Sequence, residues 1–207
     1  MKKIAFIVVL LPVTILMYAQ NIAGEYYLQG VMETASGFQL NGDSTFQFFF
    51  SYGALDRYGE GKWSLQSDSI VILNSEKRPP LDFKLKKQTS VKENLFTIKI
   101  DDANKNILRY VQGYVKTKSS TIPFEMNDDG ETNVKAQQAD SIALIFTLCP
   151  DRYSVFPVTG SNNNFVFAFE PWIAKVFFEN FILKYTNNTL QGKHPLLDGI
   201  EYNYEKE

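Results

Sequence analysis

The segment Thr45-Phe46-Gln47-Phe48-Phe49-Phe50 decides the fold class, because phenylalanines recur at its second, fourth and sixth positions. Successive side chains of an extended strand point to opposite faces, so these three rings share one face. The turn signal Asn41-Gly42-Asp43 precedes the segment, and Asn-Gly pairs connect the two strands of a hairpin. The segment therefore predicts a half-buried antiparallel strand.

Alternation with a period of two continues on both sides of this segment, and no stretch gives a long helical stripe. The predicted strands of the first half are residues 25–31, 37–40, 45–50, 58–65, 70–73 and 81–85, with an inserted loop at 51–57. The polar run 86–93 is predicted as a linker. The predicted strands of the second half are residues 95–100, 107–115, 122–126, 132–135, 141–148, 154–158, 165–169, 173–185 and 199–204.

Composition supports an all-β chain with a large aromatic core. The 207 residues include 17 Phe and 11 Tyr, and aromatic side chains favour strands. Cys149 is the only cysteine, so no internal disulfide forms and stability must come from packing. We expect Cys149 to be a buried small hydrophobe, and His194, the only histidine, to be a surface loop residue.

Residues 1–20 have the pattern of a cleavable export signal. Lys2 and Lys3 precede an apolar run, and the small residue Ala19 follows it. Cleavage after Ala19 predicts a mature chain from Gln20 that is exported to the periplasm, the cell surface or the medium. No later segment is apolar and long enough to span a bilayer, so the mature protein is expected to be soluble, with no transmembrane segment.

Charge argues against nucleic acid as a partner. Loss of the signal leaves 19 basic against 23 acidic side chains, a net charge of −4. The densest basic spot, residues 84–87, is typical of a solvated strand end and is no phosphate-tracking patch. The partners that remain are an envelope protein, a glycan or a small ligand.

Two resemblances follow from the order of motifs. The N-terminal half resembles small bacterial lipocalin-like β meanders. The segments that carry this resemblance are Gly24-Glu25-Tyr26-Tyr27-Leu28, the strand after Asp43, Gly61-Lys62-Trp63 and the apolar run 68–73. The second half is similar to carboxypeptidase regulatory-like, transthyretin-type sandwiches. The matching features are Asp101-Asp102, the strand 110–115 and the turn Asp129-Gly130.

These resemblances imply a domain order but no activity, since neither family shares one function. We expect a signal peptide at 1–19, a lipocalin-like antiparallel meander or half-barrel at 20–87, and a β-sandwich at 94–207. Residues 20–87 are too short for a closed eight-stranded barrel that could hold a ligand.

The candidate ligand site lies in two polar segments that interrupt the aromatic strands, residues 32–37 and 51–58. Pairing of 38–40 with 46–48 would bring both segments to one end of the sheet, where Glu33 and Asp56 approach each other. The candidate ligand-binding residues are Glu33, Ser36, Tyr52, Asp56, Arg57, Tyr58 and Trp63. The competing interpretation is loop closure, with Ser36 and Asp56 bonding to the backbone.

No cofactor or metal motif is present. The segment from Asp102 begins like a calcium loop, but Ile107 and Gly113 stand where glycine and a bidentate glutamate are required. The acidic run 127–131 is typical of a solvated hairpin tip. No catalytic residue is assigned, and no phosphate loop or nucleophile elbow occurs in the sequence.

Three functions remain open. The preferred one is a non-enzymatic exported protein that binds an envelope component, glycan or small ligand through its loops. The alternative is a carboxylate-dependent hydrolase of a glycan or peptide that uses Glu33 and Asp56. The third is a structural subunit in which the strand near 200–204 is added to the sheet of a partner.

Overall fold

The computed structural model describes residues 22–92, 95–199 and 201–207. The predicted export signal at 1–19 lies outside these residues. Two compact units make up the chain: Met1–Arg78 with Lys175–Glu207, and Pro79–Ala174. The structure is all-β, as the alternation predicted.

Seventeen strands and one 3₁₀ helix, Lys105–Tyr110, form the described chain. The strands are β1 Gly24–Leu28, β2 Thr34–Leu40, β3 Thr45–Tyr52, β4 Leu55–Ser67, β5 Ile70–Asn74, β6 Phe83–Thr89, β7 Phe96–Ile100, β8 Val111–Lys116, β9 Thr121–Glu125, β10 Glu131–Val134, β11 Ser141–Phe146, β12 Ser154–Pro157, β13 Asn164–Phe169, β14 Lys175–Val176, β15 Phe181–Thr186, β16 Thr189–Gly192 and β17 Tyr202–Lys206.

The first unit is a closed eight-stranded antiparallel barrel with the strand order β4-β3-β2-β1-β17-β16-β15-β5. The 13-residue strand β4 closes the ring because it pairs with both β3 and β5. Lys62 lies opposite Thr45 on one neighbour and opposite Asn74 on the other. The short strand β14 pairs with β4 in parallel, outside the ring.

Aromatic side chains fill the interior of the barrel. The Phe38 ring lies at the centre, with its centroid 5.0 Å from that of Phe48, 5.0 Å from that of Tyr204 and 6.0 Å from that of Phe178. Edge-to-face arrangements at such distances stabilise beyond the burial of area alone. The interior of this barrel is therefore a packed core.

The second unit has two four-stranded sheets, with orders β10-β7-β13-β6 and β12-β11-β8-β9. Their rings touch: the centroids of Phe146 and Phe169 are 5.0 Å apart, and those of Phe156 and Phe167 are 4.8 Å apart. The predicted buried strand at 141–148 is β11, which has a neighbour on each side in its sheet.

The predicted succession of a meander and then a sandwich is not confirmed. Strands β15, β16 and β17 lie within the range 94–207 that the sequence assigned to the sandwich, but they complete the barrel with the N-terminal strands, and β16 was not among the predicted strands. Residues 20–87 supply only five of the eight barrel strands, so this segment does not close a barrel alone; the sequence did not predict that C-terminal strands complete it. The predicted linker at 86–93 overlaps β6, an edge strand whose polar side chains face solvent, so a polar composition did not exclude a strand there.

Two local expectations also fail. The inserted loop at 51–57 is instead a tight hairpin, in which Tyr52 lies opposite Leu55 and Gly53 has a φ of 58°. The predicted strand at 107–115 begins as the 3₁₀ helix, and only β8 is extended.

The C-terminal strand is not a free edge. Both edges of β17 are paired, one with β1 and one with β16. Addition of this strand to a partner sheet would require one of those pairings to break, which argues against the third function.

The two buried tyrosines of the barrel core differ in one respect: within the described chain, the hydroxyl of Tyr26 is hydrogen-bonded and that of Tyr204 is not. They therefore allow the contribution of this hydrogen bond to stability to be measured. The Tyr26 hydroxyl donates a hydrogen bond to the Ile22 carbonyl at 2.5 Å, whereas the buried Tyr204 hydroxyl has no hydrogen-bond partner among the described residues. We expect Tyr26→Phe to lower the free energy of unfolding by about 1 kcal/mol. Tyr204→Phe should leave it unchanged or raise it, because no bond is lost. Urea unfolding of both variants measures the difference, and equal losses would contradict this view of the core.

Candidate functional site

Three of the seven predicted site residues are buried in the barrel. Ser36 is 2%, Arg57 4% and Trp63 3% exposed. The Trp63 indole donates to the Asn41 carbonyl at 2.8 Å, and the Arg57 guanidinium donates to the Lys175 carbonyl at 3.4 Å. These side chains point inward on their strands, so they do not present a surface to a ligand.

The remaining four are exposed and lie on different elements: Glu33 precedes β2, Tyr52 ends β3, and Asp56 and Tyr58 lie on β4. Asp56 lies opposite Ser51, which lies opposite Ala35. Two strand spacings, about 10 Å, therefore separate Asp56 from β2, and Glu33 precedes that strand in the turn. Tyr52 is 53% exposed at the hairpin tip, whereas Tyr58 lies on the outer face of the barrel wall.

A buried histidine and serine meet inside the barrel, which the sequence did not predict. His194 is 5% exposed, so its assignment to the surface was wrong. Its Nε2 lies 3.1 Å from Ser36 Oγ, and its Nδ1 accepts from the backbone amides of Leu196 and Leu197 at 2.9 and 3.1 Å. The proton of the neutral ring is therefore on Nε2 and points to Ser36.

The direction of these hydrogen bonds indicates that His194 and Ser36 stabilise the fold and do not form a nucleophile and its general base. The Ser36 hydroxyl donates to the Phe49 carbonyl at 2.8 Å, so its proton is not offered to the histidine. A nucleophilic serine needs the reverse, a free ring nitrogen that takes its proton. Burial also lowers the pKa of His194 from 6.5 to about 4, which keeps the ring neutral.

The best candidate site is on the outer face of the barrel, where a row of aromatic side chains crosses four strands. Tyr27 lies opposite Gly37, Gly37 opposite Phe49, and Phe49 opposite Tyr58. Phe49 is 39% and Tyr58 44% exposed. The rings of Tyr27 and Phe49 are 6.0 Å apart and inclined by 62°.

Gly37 makes this row possible. A Cβ at this position would lie 2.8 Å from the Phe49 ring and would also meet the Tyr26 carbonyl. No side chain fits there without displacing one of them, and the Phe49 ring occupies the space. Close approach, and not a special dihedral angle, therefore explains this glycine.

A polar row runs beside the aromatic one. Gln39 and Gln47 lie opposite each other at its centre, with Glu25 at one end and Glu60 at the other. The two rows line a recess of about 370 Å³, which we call the outer groove. An aromatic strip beside amide and carboxylate groups is a suitable composition for a small polar ligand.

The two carboxylates of the groove have different partners. The Tyr27 hydroxyl donates to Glu25 at 2.8 Å, and this bond raises the pKa of Tyr27. Glu60 pairs with Lys175 at 2.7 Å. The Lys175 side chain is only 13% exposed and also lies 5.4 Å from the centroid of Phe177, so its position is fixed.

A second recess, of about 630 Å³, adjoins the groove and shares Gln47 and Glu60 with it. Its charged side chains are Lys62, Lys175, Glu60 and Glu76, which balance in sign. A polar recess of about 650 Å³ in the other unit is a weaker candidate. Its Asn163 side chain is already bonded to both backbone groups of Val91.

The outer groove contains one predicted site residue, Tyr58. The others were missed because the alternation was used only to find the buried face. The signal was present: the turn at Asn41-Gly42-Asp43 fixes the register that places Gln39 opposite Gln47 and puts Phe49 in the outward set. The outward residues of these strands are unusually aromatic for a solvated face.

Neither a metal site nor a membrane-spanning helix is found in the described part of the chain. No group of three or more His, Cys, Asp or Glu side chains there is placed to hold a metal ion. Over those same residues, no helix has the length and apolarity needed to cross a bilayer.

Comparison with known proteins finds no match: no protein family, curated protein or solved structure is significantly similar to this chain. The resemblances to lipocalin-like meanders and to transthyretin-type sandwiches therefore stay predictions. The case for a function rests on the geometry of the outer groove.

The buried histidine predicts a loss of stability in mild acid. Its pKa is about 4 in the folded chain and about 6.5 when unfolded. As pH falls from 6.5 to 4, only the unfolded state takes up the proton, so the free energy of unfolding decreases by about 2 kcal/mol. Chemical denaturation at several pH values measures this slope. His194→Gln removes the titrating group, so an unchanged slope in that variant would contradict the assignment.

Proposed function

We propose that this chain is an exported, non-enzymatic binding protein whose outer groove takes a saccharide. The observation that carries the proposal is the aromatic row of Tyr27, Phe49 and Tyr58 beside the polar row of Gln39 and Gln47. The pattern of residues 1–20 supports export to the periplasm, the cell surface or the medium.

The two rows suit the two faces of a sugar. The flat C–H face of a pyranose ring is apolar and packs on an aromatic side chain, which offers a large contact area at little conformational cost. The hydroxyl groups at the ring edge need both donors and acceptors, and a glutamine amide supplies both. A ring lying on Phe49 would reach Gln47, which lies two residues away on the same face of the strand.

Binding is better supported than hydrolysis. Glu25 and Glu60, the carboxylates of the groove, are three strands apart, roughly 14 Å by strand spacing. The two carboxyl groups of a glycosidase stand about 5–9.5 Å apart across the scissile bond. Glu33 and Asp56, the pair of the hydrolase alternative, are not among the residues that line the outer groove.

The proposed site lies on the barrel wall, whereas the sequence predicted a site in the loops. The interior of the barrel is occupied by its own aromatic side chains, so the wall offers the surface for a ligand. A closed barrel also holds the rows in fixed register, which reduces the entropy that binding must overcome.

Substitution of the aromatic row should weaken saccharide binding. We expect Phe49→Ala and Tyr58→Ala each to raise the Kd at least about fivefold, because each removes a stacking face. Titration calorimetry with β-linked tetrasaccharides of glucose, galactose and mannose measures the change, and a thermal melt of each variant checks the fold.

Tyr52→Ala is the matched control, since Tyr52 is an exposed aromatic residue of the same hairpin that does not line the groove. Its Kd should equal that of the unaltered chain. A raised Kd in Tyr52→Ala together with an unchanged Kd in Phe49→Ala would place the binding site at the hairpin tip and refute the proposal.

A further inference from the structure

The charges in the outer groove have one sign. Of the residues that line it, two are charged, and both are carboxylates, Glu25 and Glu60. The second recess differs, because two lysines balance its two glutamates. An acidic saccharide would therefore be repelled from the groove, and a cationic one would be attracted to it.

We propose that the saccharide carries a free amine, so that the groove selects glucosamine-type sugars over their neutral counterparts. This inference rests on the proposed function and adds the chemical class of the ligand. An ammonium group is a compact cation with three hydrogen-bond donors and no acceptor. The groove offers such a cation both carboxylate oxygens and aromatic faces.

The aromatic row contributes to this preference. The face of a tyrosine or phenylalanine ring attracts a cation through its negative quadrupole. Tyr27 and Phe49 are inclined by 62°, so their faces are not coplanar. An ammonium group near this pair contacts aromatic surface and lies within reach of the Glu25 carboxylate, whose Oε2 accepts the Tyr27 hydroxyl at 2.8 Å.

The two carboxylates are not equivalent, which gives the proposal a specific signature. Glu60 already has a cation, since Lys175 Nζ lies 2.7 Å from its Oε1. The charge of Glu60 is therefore largely compensated, whereas the hydrogen bond from Tyr27 leaves Glu25 its full negative charge. Glu25 should be the main source of selectivity, and Glu60 should contribute less.

The test compares two β-1,4-linked tetrasaccharides that differ only at carbon 2: one of glucosamine and one of glucose. At about pH 6 the amines are protonated, since their pKa values resemble that of an α-amino group. We expect the full chain to bind the glucosamine tetrasaccharide about fivefold more tightly. The preference should shrink at high salt, because exposed charges are screened.

Glu25→Gln should bring the ratio of the two Kd values most of the way to one, because it removes the negative charge and keeps the size of the side chain. Glu60→Gln should change this ratio less. Asp68→Asn is the matched control, an exposed carboxylate in the turn between β4 and β5, outside the groove. It should behave as the unaltered chain does.

The outcomes separate this inference from the proposed function. Equal affinity for both tetrasaccharides, or a preference that survives Glu25→Gln, would overturn the amine selectivity and leave saccharide binding in place. If neither tetrasaccharide binds, or if Phe49→Ala binds both as well as the unaltered chain does, both proposals are refuted.

Discussion

The double pairing of β4 is the constraint on which the first unit depends. With β3 on one edge and β5 on the other, this strand closes an antiparallel ring in which every strand has two neighbours. A closed ring has no free edge and divides each strand into an inward and an outward set. The same strand pairing therefore determines both the core and the outer groove. Phe48 points into the interior, and Phe49, the next residue, lies on the surface.

Local sequence patterns predicted most strands of this unit, but not the hairpin at 52–55, the short strand β16 or the closure of the ring. The alternation of Phe46, Phe48 and Phe50 and the turn before them gave β3 and its partner β2. One neighbour of β1 is β17 and one neighbour of β5 is β15, each more than 100 residues away along the chain. A short-range pattern contains no information on such pairing. The predicted strands 173–185 and 199–204 alternate like any other strands, so the sequence assigned them to the nearest sheet, and the short strand β16 between them was not predicted.

Polarity misled the choice of site residues for a physical reason. Ser36, Arg57 and His194 are polar and lie among breakers or aromatic strands, a pattern that predicts surface residues or ligand-binding residues. Each has hydrogen-bond partners inside the unit, and a buried polar group that is bonded in this way is tolerated. A single sequence shows neither the partner nor the inward direction. The same ambiguity applies to Tyr27 and Phe49. Their hydrophobicity predicts core positions, although the strand pairing places their side chains on the outer face of the barrel.

The groove and the core also depend on each other through Gly37. Its missing side chain lets the Phe49 ring lie against β2, and the Phe49 carbonyl accepts the hydroxyl of Ser36, which in turn accepts the Nε2 proton of His194. The aromatic row outside the barrel is therefore linked by hydrogen bonds to the buried histidine inside it. A side chain at position 37 would disturb both at once, since it would displace the ring on one side of the strand and strain the β1–β2 pairing that supports it. Rigid support of this kind holds Phe49 in the orientation that a flat ligand face requires.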